Sequence, residues 1–164
     1  TSTRKGYWER FVGYELAGKK VGLIGFGHIG QSVAKKLKAF DVELYAYDKY
    51  PDENKAKELG VSLVSFDEII ENCDIISLHI PSTKETHDAL GQKEFEKMKD
   101  GAFLINTARG AIIDEKALYT ALKAGKLAGA GIDVYEKVSN AVRSFVDGRN
   151  NTILHFWLHN KLLP

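Results

Sequence analysis

The sequence predicts an α/β domain built on an open, doubly wound parallel sheet. Short apolar runs alternate along the chain with segments of helical spacing, and a glycine-rich turn joins the first run to the first helix. The runs are residues 20–24, 42–47, 61–64, 74–80, 102–106 and 128–134. Most are rich in Val, Ile, Leu or aromatic residues, as strands buried on both faces of a sheet must be. The last is diluted by glycines. Between the runs, Ile29, Val33, Leu37 and Phe40 recur at three- and four-residue spacing and make an apolar stripe. Ser65 and Glu68 form a capping box ahead of Ile69 and Ile70. Residues 93–99 place Phe95 and Met98 at helical spacing. Asp114 is suited to cap a helix through Lys123, with Ala117, Leu118, Ala121 and Leu122 inward and Gly125 ending it. Right-handed crossovers then put helices on both faces of one sheet.

Composition narrows the class. The chain has 164 residues, 44% hydrophobic and 27% charged, enough for one domain with a real core. Twenty-three basic residues against 22 acidic ones give no basic field for nucleic acid. No apolar run has the length of a membrane span. The polar start Thr1-Ser2-Thr3-Arg4-Lys5 lacks the apolar core of a signal peptide, and the single cysteine, Cys73, fits a reducing cytoplasm. The missing initiator Met reads as the mark of a fragment. Three segments follow: a lead-in over residues 1–19 in which Tyr7 and Trp8 are packing residues, the dinucleotide-type domain over 20–136, and a tail over 137–164 without the alternation.

Gly25-Phe26-Gly27-His28-Ile29-Gly30 is G-x-G-x-x-G, and its context carries the signal: a strand precedes it, a helix follows, and Asp48 closes the second strand. Gly25 permits the tight turn, Gly27 removes the Cβ from the path of a diphosphate, and Gly30 lets the helix approach the strand. The helix amides near His28 and Ile29 then face the phosphates. His28 serves through its backbone. Asp48 can accept from the adenosine ribose hydroxyls and repels a 2′-phosphate, which favours NAD; the neighbouring Lys49 leaves NADP open.

Ligands of such sheets sit at the carboxyl ends of the strands, where His79-Ile80-Pro81, Asn106-Thr107-Ala108-Arg109-Gly110 and Asp133 fall. Arg109 reads equally as a clamp for a substrate carboxylate and as a structural partner of Asp133. His87 reads as a solvated loop residue, Cys73 as a small core residue, and Lys35, Lys36 and Lys38 as a solvated helix face. No Cys/His cluster has metal-ligand spacing.

These motifs together resemble the D-isomer-specific 2-hydroxyacid dehydrogenases, in particular the phosphoglycerate dehydrogenase branch. The matching residues are Gly6-Tyr7-Trp8, the run from Gly18 to Gly30, Leu78-His79-Ile80-Pro81-Ser82-Thr83, Ile105 to Gly110, and Gly131-Ile132-Asp133-Val134-Tyr135-Glu136. The resemblance implies hydride transfer between NAD(H) and the 2-carbon of a 2-hydroxy or 2-keto acid. It places the catalytic arginine at Arg109 and coenzyme contacts at His28, Ile29, Asp48, Ile80, Pro81, Thr86, Thr107, Ala108 and Asp133, besides Gly25, Gly27 and Gly30. It also implies a homodimer through the lead-in region. The chain departs from the family in its tail. Val138 stands where the family has a glutamate, and Trp157 stands where it has the acid/base histidine, with His155 and His159 at the wrong offsets. A substrate domain is missing, and the break after Lys137 resembles a truncation or frameshift. The expectation is an NAD-binding domain unable to turn over alone. The alternative is a non-catalytic NAD(H)-binding regulatory module.

Overall fold

The computed structural model describes residues 13–136. Its elements run β1 (Lys20–Ile24), α1 (His28–Leu37), β2 (Glu43–Tyr47), α2 (Glu53–Leu59), β3 (Val61–Leu63), α3 (Phe66–Asn72), β4 (Ile75–Leu78), α4 (Gln92–Lys97), β5 (Ala102–Asn106), α5 (Glu115–Lys123) and β6 (Leu127–Ile132), with short 3₁₀ turns at Lys38–Phe40 and Gly110–Ile112. The six strands form one parallel sheet in the order β3-β2-β1-β4-β5-β6. This is the doubly wound order, and its switch point lies between β1 and β4.

Strand alternation splits the core into two layers. Val21 and Leu23 of β1 join Leu44, Ala46, Ala34 of α1, and Ala56 and Leu59 of α2 on one face. Ile24, Ile76, Leu78 and Leu104 join residues of α3, α4 and α5 on the other. Gly22 belongs to the second face: a Cβ there would come 2.5 Å from Ile69 Cγ2 and 2.8 Å from Cys73 Sγ, so the missing side chain lets α3 sit directly on β1.

Among the described residues, α1 and α2 cover the first face over β1–β3. Over β4–β6 it carries Ile75, Phe103 and Ile105 beside the bare backbone of Gly129 and Gly131. A groove of about 930 Å³ opens there among the described residues, with Tyr14 at its rim edge-on to Phe103, ring centroids 6.1 Å apart.

Most expected elements are present, with strands trimmed to 43–47, 61–63 and 75–78 and the sixth shifted to 127–132. The capping box forms, Ser65 N–H donating to Glu68 Oε2 at 2.9 Å and Glu68 N–H to Ser65 Oγ at 3.2 Å. Asp114 caps α5, accepting from Lys116 and Ala117 N–H. Two expectations are corrected. The α1 stripe is only half inward: Val33 and Leu37 pack on the first layer beside buried Gly30 and Ala34, whereas Ile29 is 64% exposed and Phe40, beyond the helix, 52%. Small residues let the helix lie close to the sheet, so the bulky stripe is pushed to the contact's edge. The fourth helix stops at Lys97, and Met98 is buried from an extended position after it. A helix left unmarked by the apolar pattern, α2, is set by its ends: Asp52 accepts from Lys55 N–H, and Gly60 closes it with φ 69°. Tyr7, Trp8, Val138, His155, Trp157 and His159 lie outside the described residues.

Candidate functional site

The turn after β1 is built by mutual contact of glycines and backbone. Gly25 has φ +102°, and a Cβ on it would lie 2.6 Å from the His79 carbonyl. A Cβ on Gly30 would fall inside the van der Waals envelope of the Gly25 carbonyl oxygen. Gly27 differs from both: its φ is −74°, and nothing lies within 4 Å of the Cβ it lacks. Two of the three glycines therefore serve protein packing, and the third opens onto free space. Helix α1 starts its ladder with Gln31 N–H donating to Gly27 O at 2.9 Å, and no side chain caps it. The amides of His28, Ile29 and Gly30 come before that first bond and have no intrahelical acceptor, which makes the turn an anion-binding end.

Asp48 is tied to this turn. Its Oδ2 accepts from Phe26 N–H at 2.7 Å and its Oδ1 from Tyr50 N–H at 2.9 Å. A carboxylate has about four acceptor positions, so capacity remains for sugar hydroxyls. Lys49 Nζ lies 3.2 Å from Glu85 Oε2 in an exposed ion pair next to Asp48.

The other expected residues gather along the carboxyl ends of β4, β5 and β6. Ile80 packs on the turn, its Cγ2 lying 3.0 Å from the Cβ that Gly25 lacks. Pro81 and Thr86 belong to one tied loop, where the Thr86 hydroxyl donates to Pro81 O at 2.7 Å and accepts from Thr83 N–H at 2.8 Å. Thr107 and Asp133 close the groove over β5 and β6 at its carboxyl end. Arg109 is exposed, and its described side-chain bond is Nη1 donating to Ala108 O at 2.7 Å. No ion pair to Asp133 forms among the described residues.

A residue that the motif reading passed over shapes the Arg109 loop. Asn106 is fully buried at the end of β5; its Oδ1 accepts from Ala108 N–H at 3.0 Å and its Nδ2 donates to Arg109 O at 2.9 Å. An Asn at the end of a buried strand signals this side-chain turn. Gly110 completes the bend, since a Cβ there would run into the backbone of Tyr135 and Glu136. Among the described residues no group of His, Cys, Asp and Glu is arranged to hold a metal.

A doubly wound sheet, a bare helix end and a carboxylate beside it define a dinucleotide-binding domain. The family model described as "D-isomer specific 2-hydroxyacid dehydrogenase, NAD binding domain" matches residues 1–155, and the chain belongs to that family. A D-3-phosphoglycerate dehydrogenase of Archaeoglobus fulgidus is 50% identical over 138 residues, covering 83% of this chain and 26% of that protein. A glyoxylate reductase of Thermococcus litoralis is 43% identical over 143 residues, covering 82% of this chain and 43% of that protein. The solved D-lactate dehydrogenase of Aquifex aeolicus, described as complexed with NAD and lactic acid, superposes with a TM-score of 0.83 at 33% identity, covering 93% of this chain and 50% of that one. The chain thus spans about a quarter to a half of these relatives.

Proposed function

We propose that this chain is the coenzyme-binding part of an NAD-dependent dehydrogenase acting on a 2-hydroxy or 2-keto acid, of the phosphoglycerate dehydrogenase type. The observation that carries the reading is the turn at Gly27, where open space, unpaired helix amides and the Asp48 carboxylate come together. The residues fit the coenzyme: His28 and Ile29 amides for the diphosphate, Asp48 for the adenosine ribose, and Ile80, Pro81, Thr86, Thr107, Ala108 and Asp133 for the remainder toward the nicotinamide. The bound coenzyme supplies or accepts the hydride. Arg109 is the residue of this chain assigned to the substrate. Its guanidinium can hold a 2-keto acid carboxylate through paired bonds and stabilise charge developing on the keto oxygen.

The chain falls into a lead-in over 1–19, the coenzyme domain over 20–136 and a tail over 137–164. With Val138 and Trp157 where the family has its acid/base pair, we expect the chain alone to bind NADH without turnover. That same departure favours, as a second reading, an NAD(H)-binding regulatory module without catalysis. Location in the cytoplasm agrees with a single, buried cysteine. A homodimer agrees with the apolar groove over Phe103 and Ile105. Among the described residues no helix is long and apolar enough to cross a membrane.

The test is an NADH fluorescence titration of the chain and of Asp48→Ala. Saturable binding that weakens at least tenfold in the variant is expected, with no oxidation of NADH by glyoxylate, pyruvate or hydroxypyruvate. No binding by the unmodified chain would remove the coenzyme reading, and robust keto-acid turnover would remove the claim of inactivity.

A further inference from the structure

The dinucleotide turn rests on a residue with no assigned role, His79. It follows β4, and its N–H donates to Ile24 O at 2.7 Å, carrying the ladder to the very end of β1. Its carbonyl presses on Gly25, at 2.6 Å from the absent Cβ, and its imidazole Cδ2 reaches to 3.9 Å from the absent Cβ of Gly30. The ring thus faces the first turn of α1 across the space a side chain on Gly30 would take. It is also pinned from below. Nε2 and the Ser77 hydroxyl share a hydrogen bond of 3.0 Å, and Ser77 is one of two buried polar residues among those described, only 6% exposed. Ser77 sits opposite Leu23 on β1 and Ile105 on β5, in the middle of the sheet face that carries α1. Burial pushes the His79 pKa below the ordinary histidine value, so the ring is neutral at neutral pH and adds no charge of its own to the phosphate end.

We infer that His79 is a positioning residue for the coenzyme: locked by Ser77, its imidazole props the first turn of α1 and sets where the His28 and Ile29 amides meet the diphosphate. The inference rests on the coenzyme reading above. Its physical basis is that charge-assisted bonds to phosphate are sensitive to placement, and a shift of about 1 Å in a supporting element can cost up to a hundredfold. A side chain that fills the space without bonding Ser77 leaves a buried hydroxyl unpaired and the prop free to change rotamer.

The test compares NADH affinity, by fluorescence, of the full 164-residue chain with His79→Ala, His79→Leu, His79→Gln and Ser77→Ala, each also followed by thermal melting. We expect His79→Ala and His79→Leu to lose at least tenfold in affinity. His79→Gln, whose amide nitrogen can reach the position of Nε2 and bond Ser77, should come back to within about threefold of the unmodified chain. Ser77→Ala, which leaves the ring in place but unpinned, should lose about threefold. Affinity in His79→Ala within twofold of the unmodified chain would overturn the inference. So would equal retention by His79→Leu and His79→Gln, because volume alone would then suffice. Should His79→Ala not fold, Ser77→Ala decides: unchanged affinity in a folded Ser77→Ala chain overturns the role. A chain that never binds NADH removes the coenzyme reading itself, whereas tight binding indifferent to residue 79 removes only this inference.

Discussion

Gly27→Ala separates a glycine kept for a ligand from one kept for the fold. Position 27 has φ −74° and ψ −162°, which alanine adopts without strain, and nothing lies within 4 Å of the new methyl. On stability two small terms oppose. Alanine is a poorer N-cap than glycine, and it also restricts the unfolded chain by about 0.4–1 kcal/mol. Their near-cancellation leaves folding within about 1 kcal/mol of the starting value. On binding the effect is one-sided. The methyl occupies the space through which a diphosphate reaches the His28 and Ile29 amides. Loss of one charge-assisted bond costs roughly 1.5–3 kcal/mol, which corresponds to about a tenfold to hundredfold fall in affinity. Thermal melting and NADH titration of the same sample read both quantities. A Gly27→Ala chain that melts normally and binds NADH within twofold of the original would refute the placement of the diphosphate at this turn. Gly30→Ala is the contrast, since its methyl collides with the Gly25 carbonyl; it should lower stability by about 1–3 kcal/mol in the absence of any ligand.

Other outcomes follow from single groups. Asn106→Ala removes both bonds that shape the Arg109 loop from a fully buried position, and urea unfolding should show a loss of about 2–4 kcal/mol. Tyr135→Phe should leave stability unchanged or raise it by about 1 kcal/mol on the same assay, because the Tyr135 hydroxyl is buried with no hydrogen-bond partner among the described residues; a loss above 1 kcal/mol would show that the hydroxyl is bonded. The Cys73 thiol is pushed up to about 11 by burial, so it stays protonated at pH 8 and should resist a thiol reagent until the chain is unfolded by denaturant.

Local features of the chain sufficed where one residue's chemistry determines the backbone. Ser65 with Glu68 and Asp114 ahead of an apolar stripe each form the cap their spacing implies. Helix α2 shows the limit of apolar periodicity: seven residues with only Ala56 and Leu59 buried leave no stripe to read, although Asp52 and Gly60 mark its ends. The α1 stripe shows the opposite error. Ile29 is apolar at helical spacing, yet close packing through Gly30 and Ala34 turns it outward, and Phe40 falls in the 3₁₀ turn after the helix and is exposed.

The sequence by itself determined the class of fold and the character of the coenzyme end, because a strand, three spaced glycines, a helix and an acid are local facts within one βαβ unit. Only the tertiary structure decided which glycine faces open space, that Lys49 lies beside Glu85, and that Asn106, Ser77 and His79 support the two loops on which a ligand would rest. These depend on the pairing of strands distant along the chain, β1 against β4 and β4 against β5. Contacts across such pairings are set by register and packing, which no single segment encodes.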